Sequence, residues 1–248
     1  YCKREFAKMK ILITGAKGFI GRNLIAELRN QGYNDLYEFD IDTDKNLLDE
    51  YTKSCQFVFH LAGVNRPENT EDFMNGNYGF TSLLLNSLKK NDNKSPILIT
   101  SSAQAIFDNL YGMSKKAGED IIFKYGKEYQ VLVYVYRLPN VFGKWCRPNY
   151  NSAVATFCNN IAHDLPIHVN DPNIEMKLVY IDDVIASFID KIKSIKNNPH
   201  QQEQFEEVSP IHSVKLGDIV SLLYEFKESR KSLLIPDMDD AFSKKLYS

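Results

Sequence analysis

Three polar side chains near the middle of the chain have types and spacing that suit proton transfer. Tyr111 and Lys115 lie four residues apart in YGMSK, so on a helix they share one face. A lysine ammonium beside a phenol lowers the phenol pKa from about 10 toward working pH, which makes the phenol usable as a general acid or base. The segment ITSS (99–102) ends nine residues before Tyr111 and supplies Ser102 as a third polar group. A tyrosine and a lysine at this spacing are often only a surface pair, but the combination with Ser102 predicts an active site.

The elements that must position these residues alternate between short apolar runs and helical stretches. The pattern predicts strands at 11–14, 36–39, 57–61, 97–100 and 131–136 and helices at about 19–30, 78–90 and 111–125. Near-continuous apolar strands between helices are typical of a parallel sheet that is covered on both faces. We therefore expect an α/β fold with a Rossmann-like doubly wound parallel sheet and helices on both faces.

A glycine-rich turn follows the first predicted strand in the segment ITGAKGFIG. Gly15, Gly18 and Gly21 are spaced three apart. At such a junction glycines allow a tight turn, the approach of a pyrophosphate and close packing of helix on strand, although a purely structural turn is the alternative. The pyrophosphate would rest on backbone N–H groups near Phe19 and Ile20, where the helix dipole favours negative charge.

Two charged residues flank this turn. Lys17 lies between the glycines and would place a cation near the adenosine end of a dinucleotide. Asp40 ends the second predicted strand about twenty residues later, where a carboxylate can hold the adenosine ribose 2′-hydroxyl and so favours NAD over NADP. The alternative is a solvated acid at a strand end, because Asp42 and Asp44 follow in the same loop.

The rhythm of short strands and helices changes after Arg137, where RLPNVFGKWCRPNYNS carries the only tryptophan of the chain. Later runs predict a helix at 153–163, short strands at 167–169 and 178–181, and a helix at 184–192 that Asp182 or Asp183 would cap. We expect an N-terminal arm at 1–9, an NAD(P)-binding domain at 10–140 and a mostly substrate-binding lobe at 141–248, whose late elements return to the core. The polar stretch 193–204 predicts a mobile loop.

Composition argues against several other classes of protein. Thirty Lys+Arg against 32 Asp+Glu leave a net charge of -2 and no basic stripe, so we expect no nucleic-acid partner. The 4 cysteines and 5 histidines show no metal-ligand spacing, which predicts a reduced, cytoplasmic chain without a metal. No apolar run approaches the roughly 18 residues that a membrane span needs, so we expect no membrane partner.

Six motifs in order resemble the extended short-chain dehydrogenase/reductase group, which contains NAD(P)-dependent nucleotide-sugar epimerases, dehydratases and reductases. The motifs are TGxxGxxG at 14–21, HLA at 60–62, the helix asparagine at 77, YxxxK at 111–115, RxxNxxG at 137–143 and YxDD at 180–183. The resemblance implies that Tyr111 is the catalytic acid/base, that Lys115 tunes it and binds the nicotinamide ribose, and that Ser102 hydrogen-bonds the reacting oxygen. Ser102 is preferred to Ser101 because it is the last hydroxyl before the loop.

The same resemblance implies two sets of ligand contacts. The expected cofactor contacts are Gly15, Lys17, Gly18, Phe19, Ile20, Gly21, Asp40, Leu61, Ala62, Gly63, Asn77, Tyr111, Lys115 and Arg137. The expected contacts of a UDP-sugar substrate are Ser102, Asn140, Arg147, Asn151 and Lys177. Arg137 and Asn140 could instead brace a proline-containing loop. Because ligands bind beyond the carboxyl ends of parallel strands, residues 15–21, 61–63, 100–102 and 137–140 should converge.

The sequence departs from the group at two places, and the first of them narrows the expected reaction. Ser102 is followed by Ala103-Gln104 and not by the Asp-Glu pair of sugar 4,6-dehydratases, which leaves reduction or 4-epimerisation. The stretch between Asp40 and Phe57 is too short for the usual extra helix and strand. The group also implies a homodimer through the helices at 78–90 and 111–125.

Four segments resemble more closely the N-terminal reductase domain of the CapF-type capsular polysaccharide enzymes. They are GAKGFIG, HLAGVNRPE, RLPNVFGKWCRPNYNS and the ending LYEFKESR…LYS. This resemblance implies NADPH-dependent reduction of a UDP-2-acetamido-2,6-dideoxy-4-ketohexose to a UDP-N-acetyl-6-deoxy-L-talose type sugar, and NADH stays possible because Asp40 would repel a 2′-phosphate. We expect the C-terminal cupin domain of that family to be absent from this chain. The alternatives are a UDP-hexose 4-epimerase and a non-catalytic dinucleotide-sensing protein.

Overall fold

The computed structural model describes residues 9–67, 69–195, 204–234 and 236–248. The expected N-terminal arm at 1–9 lies outside the described residues except for Met9. Most of the expected mobile loop at 193–204 also lies outside them.

The described elements alternate as the sequence predicts. In chain order they are β1 (Ile11–Thr14), α1 (Phe19–Asn30), β2 (Leu36–Phe39), α2 (Asn46–Ser54), β3 (Phe57–His60), α3 (Glu71–Met74), a π-helical turn (Asn75–Gly79), α4 (Phe80–Lys90), β4 (Ile97–Ser102), a 3-10 turn (Ala103–Ile106), α5 (Leu110–Tyr129), β5 (Val133–Leu138), β6 (Asn140–Phe142), α6 (Ala153–Ala162), β7 (Glu175–Tyr180), α7 (Ile181–Ser194), β8 (Gln204–Glu206), β9 (His212–Lys215), α8 (Leu216–Ser232) and α9 (Ala241–Tyr247).

The main sheet has six parallel strands in the order β2-β1-β3-β4-β5-β8. Every residue of β1 and β3 is buried, so both faces of the sheet centre are covered. Because β1 lies between β2 and β3, the chain leaves it in one direction and later returns on the other side, which creates the switch point where such sheets bind ligands. The predicted Rossmann-like parallel α/β fold is confirmed.

Two apolar layers enclose this sheet. On one side Leu12 and Val58 belong to a buried cluster with Leu84 of α4 and Ile122 of α5. On the other side Phe188 of α7 packs against Phe59 and Tyr136, with ring centroids 6.2 and 4.8 Å apart. Burial of a side chain of this size stabilises the fold by roughly 1.5–3 kcal/mol, so the helices hold the strand ends in fixed positions.

The chain divides into two compact units. Among the described residues, unit 1 runs to Leu138 and also contains Ile185–Glu207, whereas unit 2 contains Pro139–Val184 and Val208–Ser248. Unit 1 carries the six-stranded sheet. Unit 2 carries a three-stranded sheet in the order β6-β7-β9, with β6 parallel and β9 antiparallel to β7.

Some local predictions are wrong. Residues 167–169 form no strand: they lie near the surface, and none of the strands in the described ranges pairs with them. Asp182 and Asp183 do not cap a helix from outside: α7 begins at Ile181 and both lie in its first turn. There the positive end of the helix dipole stabilises the two carboxylates, and each of them pairs with a lysine of unit 2.

The region between Asp40 and Phe57 holds one helix, α2, and no strand. This agrees with the expectation that the stretch is too short for a helix and a strand together. The helix predicted from 78 extends back to Glu71 through the π-helical turn, since the glycines at 76 and 79 hide the helical pattern in the sequence.

Candidate active site

The glycine-rich turn between β1 and α1 leaves almost no room for side chains. Gly15 has φ +72°, and a Cβ placed there would lie 2.6 Å from the backbone nitrogen of Ala62. A Cβ on Gly21 would lie 2.2 Å from the carbonyl oxygen of Gly15. Gly18 begins α1 as its N-cap, and an added Cβ there would meet only the Gly15 carbonyl, at 3.1 Å. Two glycines are thus required by packing, and the third leaves the helix N-terminus open to an anion.

Asp40 is fixed to this turn by hydrogen bonds. Its carboxylate accepts the backbone N–H of Lys17 at 2.7 Å and that of Ile41 at 2.8 Å. The ammonium of Lys17 pairs with Asp42, and this contact raises the pKa of Lys17. The carboxylate at the end of β2 is therefore held against the glycine turn and is not a freely solvated strand-end acid.

A buried polar chain fixes the carboxyl end of β3. His60 Nδ1 lies 2.7 Å from Thr14 Oγ1 and Nε2 lies 2.8 Å from Thr81 Oγ1. Burial, and then the charge of Lys115, lower the pKa of His60 to about 3, so the imidazole is neutral at physiological pH. The interpretation of His60 as a core histidine is confirmed.

Asn77 braces the loop that follows β3. Its Oδ1 accepts the N–H of Val64 at 3.0 Å, while Nδ2 donates to the Val64 carbonyl and to Ser114 Oγ, each at 3.0 Å. A Cβ on Gly63 would lie 2.7 Å from the Nζ of Lys115. The segment Leu61–Gly63, expected to contact the cofactor, is thereby held directly against the lysine.

Ser102, Tyr111 and Lys115 come together at the carboxyl end of β4. Tyr111 lies in the first turn of α5, and Lys115 Nζ lies 5.9 Å from its ring centroid. The Tyr111 hydroxyl donates to Asn65 Oδ1 at 3.0 Å, and Ser102 Oγ accepts the N–H of Gln104 at 3.1 Å. This arrangement can hold a proton on the phenol beside a second hydroxyl.

The expected lowering of the Tyr111 pKa is wrong for the protein alone. Burial raises the pKa of Tyr111, and a hydrogen bond with Ser102 opposes the rise. Burial lowers the pKa of Lys115 to about 8, and the negative charge of Glu119 opposes this change. The reason is burial, which disfavours both charged forms and keeps the phenol protonated.

Arg137 is paired inside unit 1. Its guanidinium donates two hydrogen bonds to the buried Glu119 carboxylate, Nε at 2.8 Å and Nη2 at 2.6 Å. Ser101 Oγ donates to the same carboxylate at 2.6 Å, which leaves Ser102 as the hydroxyl beside Tyr111. The preference for Ser102 over Ser101 agrees with this geometry, whereas the guanidinium of Arg137, expected to bind cofactor, is committed to Glu119.

The four remaining predicted substrate residues lie in unit 2. Asn140 Nδ2 donates to the Lys177 carbonyl at 3.4 Å, across the β6–β7 pair, and the side chain of Lys177 is exposed. The Arg147 guanidinium lies 5.6 Å from the Tyr150 ring centroid. Asn151 is exposed directly before α6. These positions are accessible polar groups of unit 2, and their role in binding stays a prediction.

The sequence is similar to proteins of one family along most of its length. The family model for the NAD dependent epimerase/dehydratase family matches residues 11–204. The chain belongs to this family. The resemblance to nucleotide-sugar epimerases, dehydratases and reductases is therefore confirmed.

Two relatives and one solved structure show how far the similarity reaches within the family. UDP-2-acetamido-2,6-beta-L-arabino-hexul-4-ose reductase of Pseudomonas aeruginosa is 45% identical over 240 residues, which are 97% of this chain and 63% of that protein. UDP-glucuronate 4-epimerase 1 of Arabidopsis thaliana is 24% identical, over 94% of this chain and 68% of that protein. The crystal structure of the capsular polysaccharide assembling protein CapF from Staphylococcus aureus superimposes with a TM-score of 0.84 at 44% identity, over 97% of this chain and 64% of that one. The chain thus spans less than two thirds of the reductase and of CapF.

The glycine turn fits the dinucleotide that the name of the epimerase/dehydratase family implies. Gly15 and Gly21 allow the tight turn, Gly18 leaves the N-terminus of α1 open as a cradle for phosphates, and Asp40 stands at the edge of this cradle. Sequence reasoning missed Asn65 and Glu119, which contact Tyr111 and Arg137. The sequence could have indicated Glu119, because it follows Lys115 by four residues on the same predicted helix. It could not have indicated Asn65, because the contact of Asn65 with Tyr111 depends on the path of a loop.

The described residues contain neither a cluster of metal-ligand side chains nor a helix that could span a membrane. Within the described ranges no three His, Cys, Asp or Glu side chains lie close enough to hold a metal ion. None of the helices in those ranges has the length and apolar character to cross a bilayer.

Proposed function

We propose that the chain is an NAD(P)H-dependent reductase of a UDP-2-acetamido-2,6-dideoxy-4-ketohexose. The product would be a UDP-N-acetyl-6-deoxy-L-talose type sugar for capsular or surface polysaccharide precursors. The observation that carries the proposal is the grouping of Ser102, Tyr111 and Lys115 at one strand end beside a dinucleotide cradle. The identity of 45% with a named reductase over 97% of the chain supports the choice of substrate.

The side chains of unit 1 supply the proton chemistry of this reaction. A reduced nicotinamide, when bound, supplies the hydride for the carbonyl carbon at C4 of the sugar. Tyr111 gives its hydroxyl proton to the carbonyl oxygen, and Ser102 donates a hydrogen bond to that oxygen as negative charge develops. The burial that raises the pKa of Tyr111 keeps this proton in place before the reaction. One hydride and one proton convert the ketone into an alcohol.

The backbone around β1 and β3 would bind the cofactor. The N–H groups at the start of α1 suit a pyrophosphate, and Asp40 suits a ribose hydroxyl. Lys115, directly over Gly63, would hold the nicotinamide ribose. For the substrate, we expect Asn140, Arg147, Asn151 and Lys177 to contact the UDP group, because cationic and amide side chains pair with a diphosphate.

The choice between NADPH and NADH depends on the acidic end of β2. The resemblance to the capsular reductases favours NADPH. Asp40 and Asp42 bring negative charge to the glycine turn, and Lys17, which lies between the glycines, is already paired with Asp42. A 2′-phosphate would meet this charge, so NADH is the alternative cofactor.

The test is absorbance at 340 nm with NADPH, and separately with NADH, in the presence of the UDP-4-keto-2-acetamido-2,6-dideoxyhexose. We expect the wild-type protein to consume one cofactor per sugar reduced. The Tyr111→Phe protein should lose turnover by a factor of about 100 or more while it retains cofactor affinity, because one general acid typically contributes 10²–10⁴-fold. Equal turnover by the two proteins would overturn the proposed mechanism.

A UDP-hexose 4-epimerase is the second candidate, favoured by the similarity to the plant UDP-glucuronate 4-epimerases. Such an enzyme regenerates its cofactor, so it would interconvert UDP-hexoses with no net change at 340 nm. Cofactor binding without either reaction would instead indicate a dinucleotide sensor.

The proposal includes a homodimer in the cytoplasm. Leu83 of α4 is half exposed whereas its neighbour Leu84 is fully buried, so one face of this helix remains available to a second copy. Light scattering after gel filtration would report the mass, and a single 28.5 kDa species would contradict the dimer.

A further inference from the structure

The cluster behind the catalytic helix contains a carboxylate that the proposed mechanism does not use. Glu119 is only 1% exposed and follows Lys115 by one helical turn on α5. A buried carboxylate is costly unless each oxygen is paired, so its partners have to be accounted for.

Each carboxylate oxygen of Glu119 is paired with a residue of the sheet. Oε1 accepts Ser101 Oγ at 2.6 Å and Arg137 Nε at 2.8 Å, and Oε2 accepts Arg137 Nη2 at 2.6 Å. Ser101 and Arg137 are direct neighbours in the β4–β5 register. One side chain of α5 therefore connects the helix of Tyr111 and Lys115 to two adjacent strands, next to Ser102.

The guanidinium of Arg137 is itself fixed. Its Cζ lies 4.0 Å from the ring centroid of Phe205 in β8, and that ring meets Phe123 of α5 edge-on at 5.1 Å. The stacked arginine cannot turn away from Glu119 without loss of this contact. The cluster is thus a rigid support and not a mobile surface pair.

We propose that Glu119 is a positioning residue for the reductase reaction, which holds α5 on the ends of β4 and β5 and places a buried carboxylate one helical turn from Lys115. This inference rests on the proposed function only for its effect on turnover. Among the residues that the structure describes, the ionisable groups that face Lys115 are His60 of β3 and Tyr111 and Glu119 of α5, with Arg137 of β5 behind the carboxylate.

The signs of these charges predict the effect of neutralising Glu119. His60 is neutral and Tyr111 is protonated, so Glu119 is the anion that opposes the burial of the ammonium. Because burial already lowers the pKa of Lys115 to about 8, Glu119→Gln should move proton loss to lower pH, by about one unit, the lower end of the range for a nearby opposite charge.

The test uses two measurements on Glu119→Gln and on the matched control Glu128→Gln, which makes the same change at an exposed position of α5. Competitive acetylation of the cofactor-free protein, followed by mass spectrometry of the Lys115 peptide, gives the pKa of Lys115 without reference to any reaction. The pH profile of turnover gives the pH at which activity is lost on the alkaline side. We expect the Lys115 pKa and the alkaline limit of turnover to fall by about one pH unit in Glu119→Gln and to stay unchanged in the control. Glu119→Asp should restore the wild-type values, since it keeps the charge.

A double variant covers failure of the single one to fold. Glu119→Gln with Arg137→Met replaces the ion pair by neutral groups, which is often close to neutral for stability. Because it also removes the positive charge of Arg137, it should show a smaller shift of the Lys115 pKa in the same direction. An unchanged Lys115 pKa in a folded variant would overturn the inference even if the protein proves to be a reductase. A shifted pKa with no ketoreduction by the wild type would overturn the proposed function and leave the role of Glu119 intact.

Discussion

Asn77 is the residue for which sequence and structure suggest different roles, and its replacement separates them. The sequence motif makes it a cofactor contact, whereas the structure shows its amide bonded to both backbone groups of Val64 and to Ser114. Asn77→Ala would leave the N–H and C=O of Val64 without their side-chain partner in a partly buried loop. Each backbone group left without a partner costs on the order of 1–2 kcal/mol, so the two together lower the free energy of unfolding by about 2–4 kcal/mol.

This loss should be visible in thermal unfolding. For a chain of this size, about 2–4 °C per kcal/mol converts it to a fall of roughly 5–15 °C in Tm. Because the loop lies against Lys115, cofactor affinity should also fall. The matched control is Asn34→Ala, which removes an exposed amide that donates to the Gly32 carbonyl at 3.3 Å and should change Tm by less than about 2 °C.

The two roles give different outcomes in this experiment. A direct cofactor contact alone predicts weaker cofactor binding with an unchanged Tm of the cofactor-free protein. If Asn77→Ala and Asn34→Ala unfold at the same temperature, the bracing role is refuted.

Three further changes have defined outcomes. Asp40→Ser should shift the ratio of kcat/KM values toward NADPH by about tenfold or more, because it removes a like charge from the site of a 2′-phosphate; an unchanged ratio would exclude Asp40 from cofactor choice. Gly21→Ala should abolish dinucleotide binding in calorimetry, since its Cβ would lie 2.2 Å from the Gly15 carbonyl, whereas Gly79→Ala, with its nearest neighbour at 3.8 Å, should not. The pKa of His60 is lowered to about 3 in the folded protein, so between about pH 3 and about pH 6.5 its imidazole is neutral in the folded state and protonated in the unfolded chain. The stability is therefore fully present above about pH 6.5 and decreases as the pH is lowered. Urea unfolding should show about 2 kcal/mol less stability at pH 5 than at pH 7 from this group, and His60→Gln should flatten that dependence.

The order of elements was predictable because each element depends on residues close in sequence. The runs at 11–14 and 19–30 match β1 and α1 at both ends, since the glycines of the turn mark the boundary between the two periods. The spacing of Tyr111 and Lys115 placed both on α5 for the same reason. The prediction for residues 167–169, Ile-His-Val, failed because two apolar residues in alternation predict a strand only where a partner strand is in reach.

The sequence pattern could not predict the contacts that determine the charges and pKa values in the site. The pKa of Tyr111 depends on its burial, which reverses the shift expected from Lys115 alone. The pairing of Glu119 with Arg137 joins residues 18 positions apart through the β4–β5 register. Periodicity shows which face of an element is apolar, but it does not identify the partner of a buried charge.

The π-helical turn at 75–79 has a consequence for how this region can vary during evolution. A π turn accommodates one residue more than an α-helical turn, and here Gly76 packs so closely on Val64 that a Cβ would lie 2.2 Å from its Cγ2. Deletion of one residue from this turn would restore α-helical winding and leave α3 and α4 in the same relative rotation, because the wide turn absorbs the extra residue. The change would fall on the segment that presents the Asn77 amide to Val64. Related lineages can therefore differ by one residue here while the rest of the helix is unchanged, and we expect those that lose the residue to lose the contact between Asn77 and Val64.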